Sequence, residues 1–225
     1  MIDGIIRAFH GGGIFMWPIA VIMMFCIGIM VERIYVLYFK VREDKDTILN
    51  GLNKHIFRGD MHGAIRFLDA QRSGPLTRIL KAGLLKVHRP DIEVQAALDQ
   101  ASLREVPKLE TRTGYLAVLS NAATLCGLLG TIVGLIHCFR AVANVDPAEK
   151  ATILSAGIAE AMNCTAFGLL TAIPALIGYA FLQSRTQHLV DGINEAVVTE
   201  LNLVLGNRRI FQNAAEAEAQ ASTSA

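Results

Sequence analysis

The sequence predicts an all-α polytopic membrane protein, with three transmembrane helices, a cytoplasmic helical insert and long helices that extend into the cytoplasm. Three observations predict it. Apolar runs long enough to cross a bilayer stand at 14–39, 115–142 and 152–182. Between the first two lies a charged stretch whose apolar residues recur at helical spacing. The chain of 225 residues is 52% hydrophobic with a mean hydropathy of +0.41, too apolar for an ordinary soluble domain.

Composition also excludes classes of function. A formal net charge of +1 argues against a nucleic-acid binder that works by counterion release, so no nucleic acid is expected as a partner. Cys26, Cys126, Cys138 and Cys164 all fall in the apolar runs, with no CxxC and no Cys/His metal spacing. They read as small buried hydrophobes, and neither a disulfide, a metal site nor a cofactor is expected.

The elements follow in order. Residues 1–13 read as a short periplasmic N-terminus; one basic residue, Arg7, and no small-residue cleavage site speak against a cleaved signal peptide. The first span, 14–39, starts at Trp17 and Pro18 and leaves the bilayer at Tyr35, Tyr38, Lys40 and Arg42, as interfacial residues do. Glu32 and Arg33, adjacent near that exit, read as an interfacial charge pair. Residues 40–114 form the cytoplasmic domain. Ile48, Leu52 and Ile56 mark one amphipathic helix, and Ala64, Phe67 and Leu68 a second after the Arg58-Gly59-Asp60 turn. Leu76 to Val87 forms a third, and a fourth begins at Pro90-Asp91, with Pro107 as its candidate kink.

The second span, 115–142, and the third, 152–182, are joined by a short loop, 143–151, containing Asp146, Pro147, Glu149 and Lys150. Basic residues gather on the other side, at Lys40/Arg42, Lys108/Arg112 and Arg185. The positive-inside rule then puts the N-terminus and the Asp146 loop in the periplasm and the insert and C-terminus in the cytoplasm. Residues 183–212 continue the third helix with Leu189, Ile193, Val197, Leu201 and Leu205 as an amphipathic stripe. Residues 213–225, small and polar with no such stripe, are expected to be disordered.

Glu160 is the feature that points to function. It stands alone in the apolar stretch Gly157 to Tyr179, GIAEAMNCTAFGLLTAIPALIGY. A carboxylate at mid-bilayer costs at least ~2.5 to 3.5 kcal/mol, so it is usually kept for proton or ion handling. Pro174 leaves the Leu170 carbonyl without its helical partner, and Gly157, Ala161, Thr165, Gly168 and Thr171 allow close helix contact. In the second span Thr124, Leu128, Thr131, Leu135 and Cys138 fall along one stripe beside Gly127, Gly130 and Gly134. Its run GLLGTIVG has no Lys after the glycines and is not a phosphate loop. On spacing alone, the hydroxyls of Thr131 and Thr165 either face an ion pathway or back-bond to the preceding turn. Glu160, Cys164, Phe167 and Thr171 share a face with Asn163 at its edge, while Thr165 lies about 140° round from Glu160. Apart from Glu32 at the exit of the first span, the spans hold no second carboxylate, His pair or Ser/Lys couple. His137 reads as an isolated interfacial side chain, and no catalytic residue is assigned.

The segment from Gly157 to Tyr179, with GLLGTIVG upstream, resembles the signature of the MotA/TolQ/ExbB proton channel family, most closely its three-span TolQ and ExbB branch. The resemblance extends to the Glu32-Arg33 pair, the GD...A...GP pattern of the insert and the long helical hairpin. It implies a ring of five subunits around two copies of a single-span ExbD/TolR-like partner carrying an intramembrane Asp. Position by position, Glu160 matches the family's acidic residue, Thr131 and Thr165 its pore-facing hydroxyls, and Pro174 its helix proline. Asn163 and Cys164 depart from the small apolar residues common before that Thr, which opens ion preference, proton or sodium.

The sequence reading is therefore a non-enzymatic subunit of an inner-membrane motor, homopentameric, with Glu160, Thr131 and Thr165 on the ion pathway. Asn163 would bear on ion selectivity and Pro174 on helix shape. Proton motive force would be coupled to envelope work of the TonB/Tol type, through a TonB/TolA-like protein. A stator of a gliding or other motility motor and a nonconducting membrane scaffold stand as alternatives with the same fold.

Overall fold

The computed structural model describes residues 13–41, 43–71, 73–143 and 145–207. The expected N-terminal segment before Gly13 and the expected disordered tail at 213–225 lie outside them. Every element among the described residues is helical: α1 (Met16–Tyr35), α2 (Lys45–Ile56), α3 (Met61–Ala70), α4 (Pro75–Leu84), α5 (Asp91–Glu110), α6 (Thr113–Ala143) and α7 (Pro147–Gly206), with a π-helical turn at Val36–Lys40 after α1. Three stretches are long and apolar enough to cross a membrane: Met16–Phe39, the part of Asp91–Ala143 that α6 supplies, and Pro147–Gly206. The chain divides into two compact units.

One unit comprises the chain up to Ile34 together with Arg112–Gln183, and so holds α1, α6 and the first part of α7. The hairpin of α6 and α7 is tighter than the sequence suggests, because helix fills most of the loop expected at 143–151 and only residues 144–146 join the two. Its seam is made of small residues. A Cβ on Gly127 would stand 3.2 Å from the Thr165 and Gly168 Cα atoms and the Cys164 carbonyl, and one on Gly168 would lie 2.8 Å from the Ala123 carbonyl. Backbones this close gain dispersion contacts, the main attraction available in lipid. The buried stripe of α6 is accordingly Leu116, Ser120, Ala123, Gly127, Gly130 and Cys138, and Leu128 is left outward. Ser120 donates to the Ala172 carbonyl at 2.8 Å, tying the seam lower down. Pro174 sits within α7 without ending it.

The expected Glu32-Arg33 pair is resolved differently. Glu32 accepts from Arg112 at 2.5 Å, and Arg33, 4% exposed, buries an Nε that has no hydrogen-bond partner among the described residues. Neighbours in a helix point about 100° apart and do not face each other, so each seeks its own surroundings. Arg112 also carries φ +67, the left-handed region, between α5 and α6. The helix breaks there and not at Pro107, which α5 accommodates.

The other unit, Tyr35–Thr111 with the chain from Ser184 onward, is a helical bundle. Its core contains Ile48, Leu52, Ile56, Leu68, Ile79, Leu80, Leu84 and Leu98, each worth ~1.5 to 3 kcal/mol when fully buried. Helix starts are set locally in α2 and α3, where Asp44 accepts from Thr47 N and Asp60 from Gly63 N. In α4 the cap comes from far along the chain: Glu43 accepts from Leu76 N at 3.0 Å, Thr77 N at 3.2 Å and Thr77 Oγ1 at 2.6 Å. A Cβ on Gly74 would collide with the Glu43 carboxyl group, so this cap requires glycine there. Glu105, 6% exposed, is paired with Arg78 at 3.3 Å and Lys108 at 2.6 Å.

The stripe of α7 in this unit is rotated from the one expected. Its buried residues are Thr186, Val190, Ile193, Ala196, Glu200 and Val204, and Leu189, Val197 and Leu201 only flank them. Glu200 is fully buried, and neither carboxylate oxygen has a hydrogen-bond partner among the described residues. Burial pushes its carboxyl well above the usual carboxylate range. Gly83 makes room for it, since a Cβ there would stand 3.3 Å from Glu200 Oε1.

Candidate functional site

The α6/α7 hairpin fixes the level of every polar side chain in the spans. Gly134 faces Ala161, Cys138 faces Gly157, and the Cys138 Sγ lies 3.7 Å from the Ile153 and Leu154 carbonyls. Glu160 therefore stands about level with Gly134, and His137 two to three residues, ~3 to 4.5 Å along the helix, nearer the 144–146 connection.

Both side chains line one cavity of about 720 Å³, whose walls also include Gly13, Phe15, Gly134 and Cys138. The backbone just before α1 closes one side. Gly13, at φ +71, approaches so closely that a Cβ on it would lie 2.6 Å from Glu160 Oε1. Glycine suits the left-handed backbone there, and any side chain would have to displace the Glu160 carboxylate. Among the described residues no ion pair engages Glu160. Beneath the cavity Met16, Ile19 and Cys164 form a small apolar cluster with Phe15, Cys126 and Phe167.

The other residues singled out from the sequence do not join this cavity among the described residues that line it. Thr131 back-bonds, its Oγ1 donating to the Leu128 carbonyl at 2.6 Å. Thr165 instead donates across the seam to the Gly127 carbonyl at 3.0 Å. Asn163 is half-buried one turn further along α7, and Pro174 is exposed. The residue that sequence reasoning passed over is His137, treated as isolated because its neighbour in space is 23 positions away. The register of the hairpin was the signal that could have found it.

A carboxylate set beside a helical seam, in a chain with three helices long and apolar enough to cross a membrane, belongs to an all-α polytopic membrane protein. The chain belongs to the MotA/TolQ/ExbB proton channel family, whose model matches residues 71–195. It is 27% identical over 190 residues to an ExbB homologue of Methanothermobacter thermautotrophicus, covering 84% of this chain and 66% of that one. It is 40% identical over 97 residues to the Tol-Pal system protein TolQ of Pseudomonas aeruginosa, covering 43% of this chain and 42% of that protein. With the biopolymer transport protein exbB1 of Vibrio cholerae it shares 24% over 190 residues, covering 81% and 83%. The matches thus span less than two thirds of the first two relatives' own length.

Proposed function

We propose that this chain is a proton-conducting subunit of an inner-membrane motor that couples proton motive force to work on the cell envelope. The observation that carries the proposal is Glu160, a carboxylate in an apolar helix that lines a cavity and has no ion-pair partner among the described residues. A group placed at that cost is suited to exchanging a proton or setting the field along an ion path. Thr131 and Thr165 would flank that path once subunits surround it, Asn163 would bear on proton against sodium, and Pro174 would shape α7. In this reading the N-terminus and the 144–146 connection are periplasmic, and the bundle and C-terminus cytoplasmic.

Membership of the family and the relatives named ExbB and TolQ support the assembly we infer: a homopentamer in the bilayer around a single-span ExbD/TolR-like partner with an intramembrane Asp. The outward apolar side chains of α1, among them Trp17, Met24, Phe25 and Val31, fit lipid or neighbouring subunits. The process powered would be TonB/Tol-type transport, reached through a TonB/TolA-like protein.

The test is complementation beside crosslinking of the same variants. Glu160→Gln keeps size and removes charge, so it inserts, oligomerises and binds its partner but does not support ion-driven work, while Glu160→Asp keeps part of it. Full function in Glu160→Gln would favour a nonconducting scaffold.

A further inference from the structure

We propose that His137 carries protons between the loop end of the hairpin and Glu160, a role that rests on the function proposed for Glu160. The two side chains line the same cavity, ~3 to 4.5 Å apart along the hairpin, with His137 on the side of the 144–146 connection. Imidazole is the side chain suited by its unperturbed chemistry to gain and lose a proton near neutral pH. Of the described residues lining the cavity, the other titratable side chain is Cys138, whose thiol is turned to the Ile153 and Leu154 carbonyls. The charged residues of the same helix ends, Arg140, Glu149 and Lys150, do not line it. Thr131 and Thr165 are held by backbone carbonyls elsewhere on the hairpin. His137 is thus the group placed to stand between Glu160 and the loop.

No direct hydrogen bond joins the pair among those of the described residues, so the transfer runs through water. A cavity of about 720 Å³ has space for it, a water taking about 30 Å³. The step balances without a co-reactant. An N–H bond of the imidazolium breaks, an O–H bond forms on the Glu160 carboxylate, and the neutral ring takes its next proton from hydronium at the loop end. The reverse sequence serves a reversed gradient.

The experiment measures proton uptake by cells producing the full-length chain with its native membrane partners, in wild type, His137→Ala, His137→Asn and Glu160→Gln. His137→Ala should lower uptake about 10²-fold, the low end for a positioned acid–base group. Added imidazole should restore it by filling the vacated space, with a rate that follows the imidazolium fraction as pH is changed. His137→Asn should lose as much without rescue, because nothing is vacated. Crosslinking shows whether each variant assembles, and if His137→Ala does not, His137→Asn alone is decisive. Wild-type uptake in His137→Asn overturns the relay, as does loss in an assembled His137→Ala that imidazole leaves unrestored. Full uptake in Glu160→Gln overturns the function itself, whereas an inactive Glu160→Gln beside an unaffected His137→Asn removes the relay alone.

Discussion

Thr165 Oγ1 donates to the Gly127 carbonyl at 3.0 Å, so one of the two hydroxyls marked by the sequence bridges α7 to α6 at their point of closest approach. Interhelical hydrogen bonds of this kind contribute about 0.6 kcal/mol, at most about 1.7. Thr165→Val, which keeps the shape and removes the donor, should therefore lower thermal stability in detergent only slightly. Gly168→Ala should lower it much more, since its Cβ would lie 2.8 Å from the Ala123 carbonyl and the helices would have to part. Equal losses in the two variants would show that backbone approach does not set the seam.

Arg112 predicts a second ordering. Its φ of +67 costs a non-glycine residue roughly 1 to 2 kcal/mol, and its ion pair with Glu32 is exposed enough to be worth about 0 to 1 kcal/mol. Arg112→Gly and Arg112→Ala both lose the pair, but only glycine takes the backbone without strain. Thermal unfolding should find Arg112→Gly the more stable by about 1 kcal/mol. The opposite order would mean that the left-handed turn is not kept in the native protein.

Glu200 makes stability depend on pH. Its carboxyl is raised by burial, so the folded state holds a proton that the unfolded chain releases above about pH 4.3. The stability it contributes is complete below that pH and is lost as pH rises through the raised folded value. Glu200→Gln removes this slope. Melting temperatures at pH 5 and pH 8 should show the variant gaining most at pH 8, and a gain confined to pH 5 would reverse the sign of the argument.

Orientation is open to labelling. In a cysteine-free background, a cysteine in place of exposed Asp146 should react with an impermeant maleimide in intact cells, and one in place of exposed Arg58 should not. The reverse pattern would invert the topology proposed from the basic residues.

What was legible in the sequence follows from what is local. The helical class and the apolar runs are carried by composition, and Glu160 by its isolation among apolar neighbours. The caps by Asp44 and Asp60 act within three residues, so their helices can be read directly. Glu43 caps α4 from 33 residues away, and nothing in the local pattern joins them. Pro107 marked a candidate kink and lies inside α5, whereas the left-handed residue between α5 and α6 is Arg112, beside its contact with Glu32, which no local pattern signals. Nothing in the local pattern marks Glu200 as buried; the missing side chain of Gly83, distant in sequence, leaves room for it. The small residues of the seam marked close packing, but the face they form became clear only with the register of α6 against α7. The same register brought His137 to Glu160.

The most direct measurement of the central claim is proton uptake by cells that overproduce the chain with its native membrane partners, comparing wild type with Glu160→Gln at matched assembly. Wild type should show uptake driven by an imposed gradient, and Glu160→Gln none above background. Equal uptake in both would contradict it.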